Sequence, residues 1–330
     1  MKAFRYVRPA SVAAASELAR GGATVKAGGS DLLDRMKERI ATPDDVVALN
    51  ETPADPTLHS IVKDGDVLRV GALVTLAEIA ASKEIGALYP ALAEASTQAA
   101  SPQVRHRATL GGNLAQHTRC GYYRLASFPC WKRGDNACPV LADGAVQDEA
   151  GIFGNDSCAS AHPASLPPVL GAIGARVVIA KGEKLEERPF DALWRAPEQG
   201  VEADVALVPG EIIAAVVLPK PATGRTVAYE EVRQKAAFDW ALASCAVGVT
   251  VVAGKVTEAS IWLGSVAPTP HRAAAAEKAL VGATLSDGAI QKAAAAAVAD
   301  ATPLAGNRYK VDLVKVVVRR ALLRAAGRDR

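Results

Sequence analysis

The chain has 330 residues, half of them hydrophobic, and a formal net charge of only +3. This length exceeds that of one compact core and suggests two domains, one of which could be subdivided. Dispersed basic residues and few aromatic ones argue against a nucleic-acid-binding surface. The N-terminus has no apolar core like that of a secretory signal, and no apolar run approaches the roughly 20 residues that span a bilayer. We therefore expect a soluble protein without membrane contact.

A first glycine-rich turn lies near the N-terminus. Residues 23–27 are predicted to form a strand, Gly28-Gly29-Ser30-Asp31 follow, and residues 32–40 are predicted to form a helix capped by Ser30 or Asp31. A helix start offers free backbone amides that suit a phosphate. The turn lacks the G-x-G-x-x-G spacing, so a Rossmann dinucleotide site is not supported, and a purely structural turn stays open.

Turn signals divide the rest of the chain. Residues 51–56 are polar and contain prolines, which indicates a subdomain boundary. Asp64-Gly65-Asp66 separates two strand-like runs and predicts a hairpin. A second glycine turn runs from Thr109 to Asn113. After Pro219-Lys220-Pro221, three predicted strands and three alanine-rich helices indicate a C-terminal α+β domain.

Four of the five cysteines lie in one glycine- and proline-rich segment, with the spacing C-x9-C-x7-C-x19-C. An odd number fits a disulfide framework poorly. Structural zinc usually shows paired C-x2-4-C knuckles, which are missing, although zinc stays possible. A [4Fe-4S] cluster needs four thiolates and tolerates irregular spacing, so it is the favoured interpretation over free buried thiols. The four predicted metal ligands are Cys120, Cys130, Cys138 and Cys158.

Other residues near this segment are interpreted differently. Arg119, Lys132 and Arg133 could offset the negative charge of a cluster and favour thiolates. The fifth cysteine, Cys245, lies among small apolar residues and is predicted to be packed in the core. Two histidines that flank the segment, His117 and His162, are predicted to be exposed loop residues, because four cysteines already complete a cluster.

Three stretches together resemble the FAD-binding medium subunit of the molybdenum hydroxylases, the xanthine oxidase and carbon monoxide dehydrogenase family. They are residues 26–33 (KAGGSDLL), 103–114 (QVRHRATLGGNL) and 307–322. The cysteine segment makes the resemblance greatest to the [4Fe-4S]-containing flavin subunit of periplasmic-type aldehyde oxidoreductase. The implied fold is α+β: a FAD-binding domain of the vanillyl-alcohol-oxidase (PCMH) type in two subdomains, then a C-terminal α+β domain with a three-stranded sheet and helices. The implied bounds are 1–56, 57–221 with the cysteine insertion at 118–160, and 222–330.

The resemblance also implies a FAD site. Both glycine turns would hold the pyrophosphate through backbone amides, and Ile212 would pack near the flavin ring. The family often has an aspartate at position 165, which touches the nucleotide half of FAD, and a lysine near the flavin at position 231. The implied cofactor-binding residues are Lys26, Ala27, Gly28, Gly29, Ser30, Asp31, Leu32, Leu33, Thr109, Gly111, Gly112, Asn113, Ser165, Ile212 and Glu231.

In such enzymes a large subunit oxidises the substrate at molybdenum, and [2Fe-2S] clusters of a small subunit pass electrons to FAD. The resemblance therefore implies a FAD- and [4Fe-4S]-containing electron-transfer subunit without catalytic residues of its own, in a heterotrimer or a dimer of heterotrimers that oxidises aldehydes to carboxylic acids and reduces an external acceptor. A flavin subunit of the 4-hydroxybenzoyl-CoA reductase type, a stand-alone flavin oxidase and a zinc-stabilised binding module stay open. Without a signal of its own, the chain would be cytoplasmic, or periplasmic by co-export with a signal-bearing partner.

Overall fold

The computed structural model describes residues 1–52, 55–236 and 238–328. Residues 53 and 54, in the predicted linker 51–56, lie outside the described residues. The N-terminal region forms a parallel sheet in the order β1-β3-β2, since helical crossovers join its strands. Helix α2 is shorter than predicted because Arg39 adopts a left-handed conformation with φ of 60°. The elements are β1 (Arg5–Val7), α1 (Val12–Arg20), β2 (Thr24–Lys26), α2 (Leu32–Lys37) and β3 (Asp45–Ala48).

A five-stranded antiparallel sheet in the order β4-β5-β8-β6-β7 forms the middle of the chain. The predicted hairpin is confirmed: Asp64 pairs with Val67 across a two-residue turn in which Gly65 has φ of +58°. After Glu211, strand β8 is apolar because both of its faces are buried. The elements are β4 (Ile61–Asp64), β5 (Val67–Gly71), α3 (Leu76–Ala81), α4 (Lys83–Leu88), α5 (Pro90–Gln98), α6 (Pro102–Arg105), α7 (Leu110–Leu114), α8 (Gly121–Arg124), α9 (Leu166–Ile173), β6 (Arg176–Lys181), β7 (Lys184–Pro189) and β8 (Glu211–Pro219).

The C-terminal region has the predicted three long antiparallel strands, with a two-residue strand added at one edge in the order β12-β11-β10-β9. Helix α12 packs on one face of this sheet. Helix α9 packs on the other face and is buried along its whole length, since it also contacts the middle sheet. Helix α9 thus ties the two sheets together. The elements are β9 (Arg225–Val232), β10 (Ala243–Val252), β11 (Lys255–Gly264), β12 (His271–Arg272), α10 (Ala274–Leu280), α11 (Asp287–Ala296) and α12 (Tyr309–Ala325).

The cysteine segment 118–160 has no strand and only short helical turns, namely α8 and 3-10 turns at Trp131–Arg133 and Pro139–Leu141. Cys245 lies in β10 with 0% exposure, which confirms the prediction that it is a core residue. None of the described helices is long and apolar enough to cross a membrane.

Candidate functional site

The first glycine turn connects β2 to α2 and presents free backbone donors. In the described chain, the N–H groups of Gly28, Gly29, Ser30 and Asp31 donate to no acceptor. Gly29 has φ of +85°, a conformation that glycine adopts without steric cost. Successive free N–H groups form a concave surface that binds anions. The turn is therefore a candidate binding site for a phosphate group.

Glycine is required at position 28 because two backbones meet there. A Cβ atom on Gly28 would lie 1.7 Å from the carbonyl oxygen of Arg107, just before the second glycine turn. A Cβ atom added on Gly111 would lie 2.9 Å from the Cβ and 3.2 Å from the carbonyl oxygen of Ala72. At Gly112, by contrast, an added Cβ would meet only Thr109 Oγ1 of its own turn, at 3.0 Å. The first turn is thus packed against the chain that leads into the second turn. Gly112, in contrast, faces space that no other part of the protein fills.

In the second glycine turn, the N–H groups of residues 110–113 already have acceptors within the protein. Leu110 donates to Val74 O, Gly111 to Ala72 O, Gly112 to Thr109 Oγ1 and Asn113 to Thr109 O. Only the first turn therefore presents a row of free amides, which differs from the prediction that amides of both turns hold the pyrophosphate. The second turn instead contributes its close packing against the first turn.

Two cavities extend from the first turn, and together they form one cleft. The first cavity, of about 160 Å³, lies between the turn and β8; the second, of about 280 Å³, extends toward β9. Ser30, Gly112 and Gln116 line both cavities. Of the predicted cofactor residues, the first cavity has Lys26, Ala27, Gly28, Gly29, Ser30, Asp31, Leu32, Thr109, Gly111, Gly112 and Ile212, and the second has Asn113, Ser165 and Glu231 besides the shared residues.

Four predicted residues have surroundings that the resemblance did not imply. Leu33 lines neither cavity and packs against the small core cluster that includes Met36. Ile212 and Glu231, both predicted near the flavin ring, line opposite ends of the cleft. Ser165, predicted at the nucleotide half, shares the second cavity with Glu231. One end of the cleft thus has Ile212, and the other has Ser165 and Glu231.

Charged residues at the end of β9 and directly after it line the second cavity. The Glu231 carboxylate accepts a hydrogen bond from Tyr229 Oη at 2.8 Å and forms an ion pair with Arg233 at 2.9 Å. Burial raises the pKa of Glu231, while Tyr229 and Arg233 act in the opposite direction. Sequence reasoning missed Arg233. The signal was its spacing, because side chains two positions apart in an extended chain point to the same side.

An ion-pair cluster connects the first glycine turn to the cysteine segment. Asp31 contacts Arg35 at 3.0 Å, Arg124 at 2.8 Å and Arg119 at 3.2 Å. Asp34 contacts Arg119 at 2.9 Å and Arg124 at 3.1 Å. The predicted capping role of Asp31 is wrong, since its side chain makes no capping hydrogen bond. Its carboxylate is instead used in these ion pairs.

The pKa of Asp31 reflects this cluster. Burial acts to raise that pKa, but the His117 side chain, Arg35 and Arg124 outweigh burial and hold it well below the usual range. Asp31 is therefore ionised across the physiological pH range.

The four cysteines of the segment are brought together. The thiols of Cys138 and Cys158 share a hydrogen bond, and Cys158 also acts electrostatically on Cys120 and Cys130. Cys120, Cys130 and Cys138 each precede a short helical turn, although none makes a capping hydrogen bond. Backbone N–H groups of those turns nevertheless act to lower the pKa of each thiol. The backbone of the segment thus favours negative charge on its sulfurs.

Burial opposes that charge. It raises the pKa of Cys120 and Cys130, whereas the hydrogen bond from Cys138, with help from Lys132 and Ser160, lowers the pKa of Cys158 to about 6. No group of three or more His, Cys, Asp or Glu side chains in the described residues is arranged to hold a metal ion. The structure therefore gathers the four thiols without forming the ligand set of a single ion.

Basic side chains hold the segment in place. Arg133 donates to the carbonyl oxygens of Tyr122, Tyr123, Leu125 and Phe128. Lys132 is buried and donates to Asp204 at 2.6 Å. Of the three basic residues predicted to offset a cluster, Lys132 acts on Cys158 and Arg133 on Cys130, while Arg119 belongs to the Asp31 cluster.

His162 differs from its prediction. It is 2% exposed, so it is a buried residue and not an exposed one, and its Nδ1 accepts a hydrogen bond from the Ala164 N–H at 3.4 Å. Its ring packs edge-on against Trp194 at 5.0 Å. Burial lowers the pKa of His162 to about 4, so the imidazole is neutral.

Comparison with known proteins agrees with this architecture. Residues 2–221 match the family described as FAD binding domain in molybdopterin dehydrogenase, and residues 227–325 match the CO dehydrogenase flavoprotein C-terminal domain. The aldehyde oxidoreductase FAD-binding subunit PaoB of Escherichia coli (strain K12) is 33% identical, with 96% of each chain covered. The carbon monoxide dehydrogenase medium chain of Afipia carboxidovorans is 32% identical, covering 98% of this chain and 97% of that one.

A solved structure gives the same result. Carbon monoxide dehydrogenase from Hydrogenophaga pseudoflava, in a form that lacks the Mo-pyranopterin moiety, includes a chain with a TM-score of 0.77 at 30% identity, covering 99% of this chain and 98% of that one. Both family matches, the curated relatives and this fold lead to one conclusion: the chain belongs to the FAD-binding medium subunits of the molybdenum hydroxylases, and it is a subunit of an oxidoreductase.

Proposed function

We propose that this chain is the FAD-bearing electron-transfer subunit of a heteromeric molybdenum enzyme that oxidises aldehydes to carboxylic acids. The observation that carries the proposal is the cleft, in which a row of four free amides lies where two cavities join. FAD fits this arrangement of cavity, amides and cavity, because its pyrophosphate lies between the flavin and the adenine. The aldehyde is proposed because PaoB, whose name describes an aldehyde oxidoreductase subunit, matches over nearly its whole length.

The sizes of the cavities suggest the orientation of FAD. The tricyclic flavin is larger than adenine, so we assign the flavin to the second cavity, of about 280 Å³, and adenine to the first, of about 160 Å³. Free N–H groups of residues 28–31 would then bind the pyrophosphate, and Arg233 with Glu231 would set the charge near the flavin. FAD supplies the redox chemistry, while the protein positions it and tunes its potential.

The proposed partners are a large subunit with the molybdenum cofactor and a small subunit with [2Fe-2S] clusters, in a heterotrimer or a dimer of heterotrimers. Several relatives are named as medium chains or subunits, which supports assembly with other chains. Electrons would pass from the [2Fe-2S] clusters to FAD and then to an external acceptor. The predicted compartment, cytoplasmic or periplasmic by co-export, stays a prediction that cell fractionation tests.

The cysteine segment is proposed to hold a [4Fe-4S] cluster through Cys120, Cys130, Cys138 and Cys158. In such a cluster each thiolate binds a different iron, so its ligands do not converge on a single ion. Mutual interaction of the four thiols and the backbone N–H groups near them support this proposal. Bound iron would stabilise the thiolate forms of these cysteines, which burial otherwise disfavours.

The decisive experiment is to co-express the chain with its large and small subunits and to purify the complex. We expect one FAD per chain, iron beyond that of the small subunit, and bleaching of the flavin absorbance when an aldehyde is added without oxygen. No bleaching by aldehydes, together with reoxidation of the chemically reduced flavin by 4-hydroxybenzoyl-CoA, would replace the aldehyde assignment. A colourless chain that contains zinc would refute the redox function.

A further inference from the structure

The largest of the three cavities described here is a third one, which lies outside the FAD cleft. Its volume is about 500 Å³, within the range of small-molecule sites. It lies between the cysteine segment and the C-terminal domain. Arg119, Pro163, Trp240 and Ala241 line both this cavity and the second cavity. The guanidinium of Arg119 stacks on the Trp240 ring at 4.9 Å, so this pair forms a wall between them.

The mouth of the third cavity is apolar and aromatic. Leu125, Phe128, Val146 and Trp240 line it and are each between 41% and 72% exposed. Phe128 packs edge-on against Tyr122 at 5.0 Å, and Tyr122 Oη accepts a hydrogen bond from the Val146 N–H at 2.8 Å. A planar hydrophobic ring would bury these side chains from water, which is the main favourable term in binding apolar ligands.

The third cavity also contains a buried cation. Lys310 is 1% exposed, and its Nζ donates to Glu149 O at 3.0 Å and to Ser265 O at 3.1 Å. An ammonium group has three N–H donors, and in the described chain the third one has no acceptor. Burial lowers the pKa of Lys310 to about 8, so the group is mainly protonated at neutral pH. It can donate to a carbonyl oxygen of a ligand.

Charge at the mouth selects against anions. Asp148 and Glu149 are exposed acidic residues that line the cavity, whereas the positive charge of Arg119 is already paired with Asp31 and Asp34. Anionic aromatic ligands and dinucleotides would therefore be repelled. A neutral, planar ligand with a carbonyl oxygen would pack against the apolar walls, avoid repulsion by the carboxylates and accept a hydrogen bond from Lys310.

We infer that the third cavity is the electron-outlet site and binds a neutral quinone, with a carbonyl oxygen on Lys310 and the ring beside Trp240. This inference rests on the proposed function, because reduced FAD in the second cavity must supply the electrons. The quinone gains two electrons and two protons to become the hydroquinone. The anionic reduced flavin supplies two electrons and one proton as it becomes oxidised FAD, and solvent supplies the second proton.

The test uses the assembled complex with ubiquinone-1 as the probe. Val146→Arg places bulk and charge at the mouth without disturbing the core, because Val146 is 72% exposed. We expect ubiquinone-1 binding, measured by equilibrium dialysis, and the rate of flavin reoxidation by ubiquinone-1 to fall at least about tenfold. Flavin reoxidation by ferricyanide and the FAD content should not change. Val252→Arg, 55% exposed and outside all three cavities, is the matched control.

Lys310→Met is a second variant, which should weaken ubiquinone-1 binding while the ferricyanide rate persists. Unchanged binding in Val146→Arg would overturn the inference. A Val146→Arg chain that retains FAD but no longer assembles would also overturn the inference, because the cavity would then be part of the interface with another subunit. If the unaltered complex contains no FAD and reduces neither acceptor, the proposed function fails instead.

Discussion

The FAD cleft and the cysteine segment are both suited to negatively charged groups, but they are built differently. In the cleft, the free donors are backbone N–H groups of residues 28–31, fixed where β2 ends and where the second turn packs against them. The cysteine segment has only short helical turns, and side chains such as Arg133 and Lys132 hold it. The cleft should therefore be sensitive to a Cβ added where the backbones meet, as at Gly28, and the segment to the loss of single side chains.

The largest effect is expected from Gly28→Val. Its Cβ would lie 1.7 Å from the Arg107 carbonyl oxygen, and backbone cannot yield as a side chain does. The cost should exceed the roughly 3 kcal/mol of ordinary overpacking, so the complex should lose FAD or fail to fold. The matched control is Gly86→Val, because Gly86 is exposed and its added Cβ meets no atom within 4 Å. The FAD-to-protein ratio decides, and a full FAD complement in Gly28→Val would refute the packing argument.

The next largest effect is expected from replacing the cysteines of the cysteine segment. Replacing any of its four cysteines by Ser substitutes a harder oxygen for a soft thiolate, so each variant should lose about four iron atoms per chain. Cys245→Ser is the matched control: it is also a buried cysteine, and it should keep its iron at a stability cost of about 1 to 3 kcal/mol. Iron analysis of the purified complexes distinguishes them. Equal iron loss at Cys245, or none at Cys138, would show that the ligand set is wrong.

Sequence reasoning succeeded where local chemistry decides the structure. The Asp64-Gly65-Asp66 hairpin, the three long C-terminal strands and the core position of Cys245 follow from turn residues and apolar pattern, and the structure confirms them. Membership of the FAD-binding family was also predicted, because the two glycine turns carry a recognisable pattern.

Features that depend on contacts between distant residues were missed. The sequence could not indicate that Asp31 forms ion pairs with residues about 90 positions away and so does not cap α2. Burial of His162 depends on Trp194, which lies in a different part of the chain. The closeness of Gly28 to Arg107 is likewise a tertiary contact. The sequence therefore suggested that Gly28 is a glycine so that a phosphate can approach, whereas the structure shows that packing against the Arg107 backbone requires it.

Asp31→Asn tests whether the two regions depend on each other. Removing a buried charge with several arginine partners should cost about 3 kcal/mol at neutral pH, and both FAD and iron content should fall. The folded pKa lies below the unfolded value near 4, so this stabilisation is present above about pH 4 and is lost as the pH falls further. Urea unfolding of both proteins should therefore converge in acid.

The control for Asp31 is Asp44→Asn, since Asp44 is 86% exposed on the side chain and pairs only with Lys2 among the ion pairs of the described residues. It should change the free energy of unfolding by less than about 1 kcal/mol. A loss of FAD without a loss of iron in Asp31→Asn would mean that the cysteine segment is independent of the cleft.

The smallest effect is expected at the flavin end of the cleft, from Glu231→Gln. The neutral amide keeps the shape of the side chain but leaves Arg233 without a counter-charge in the second cavity. Because reduction adds negative charge to the flavin ring, the FAD midpoint potential should rise on the order of 30 mV, which corresponds to about 1.4 kcal/mol for two electrons. Spectroelectrochemical titration measures it, with Glu186→Gln, whose side chain is 63% exposed on β7, as the control. A potential that does not rise would place the flavin in the first cavity, beside Ile212, and reverse the orientation of FAD in the cleft.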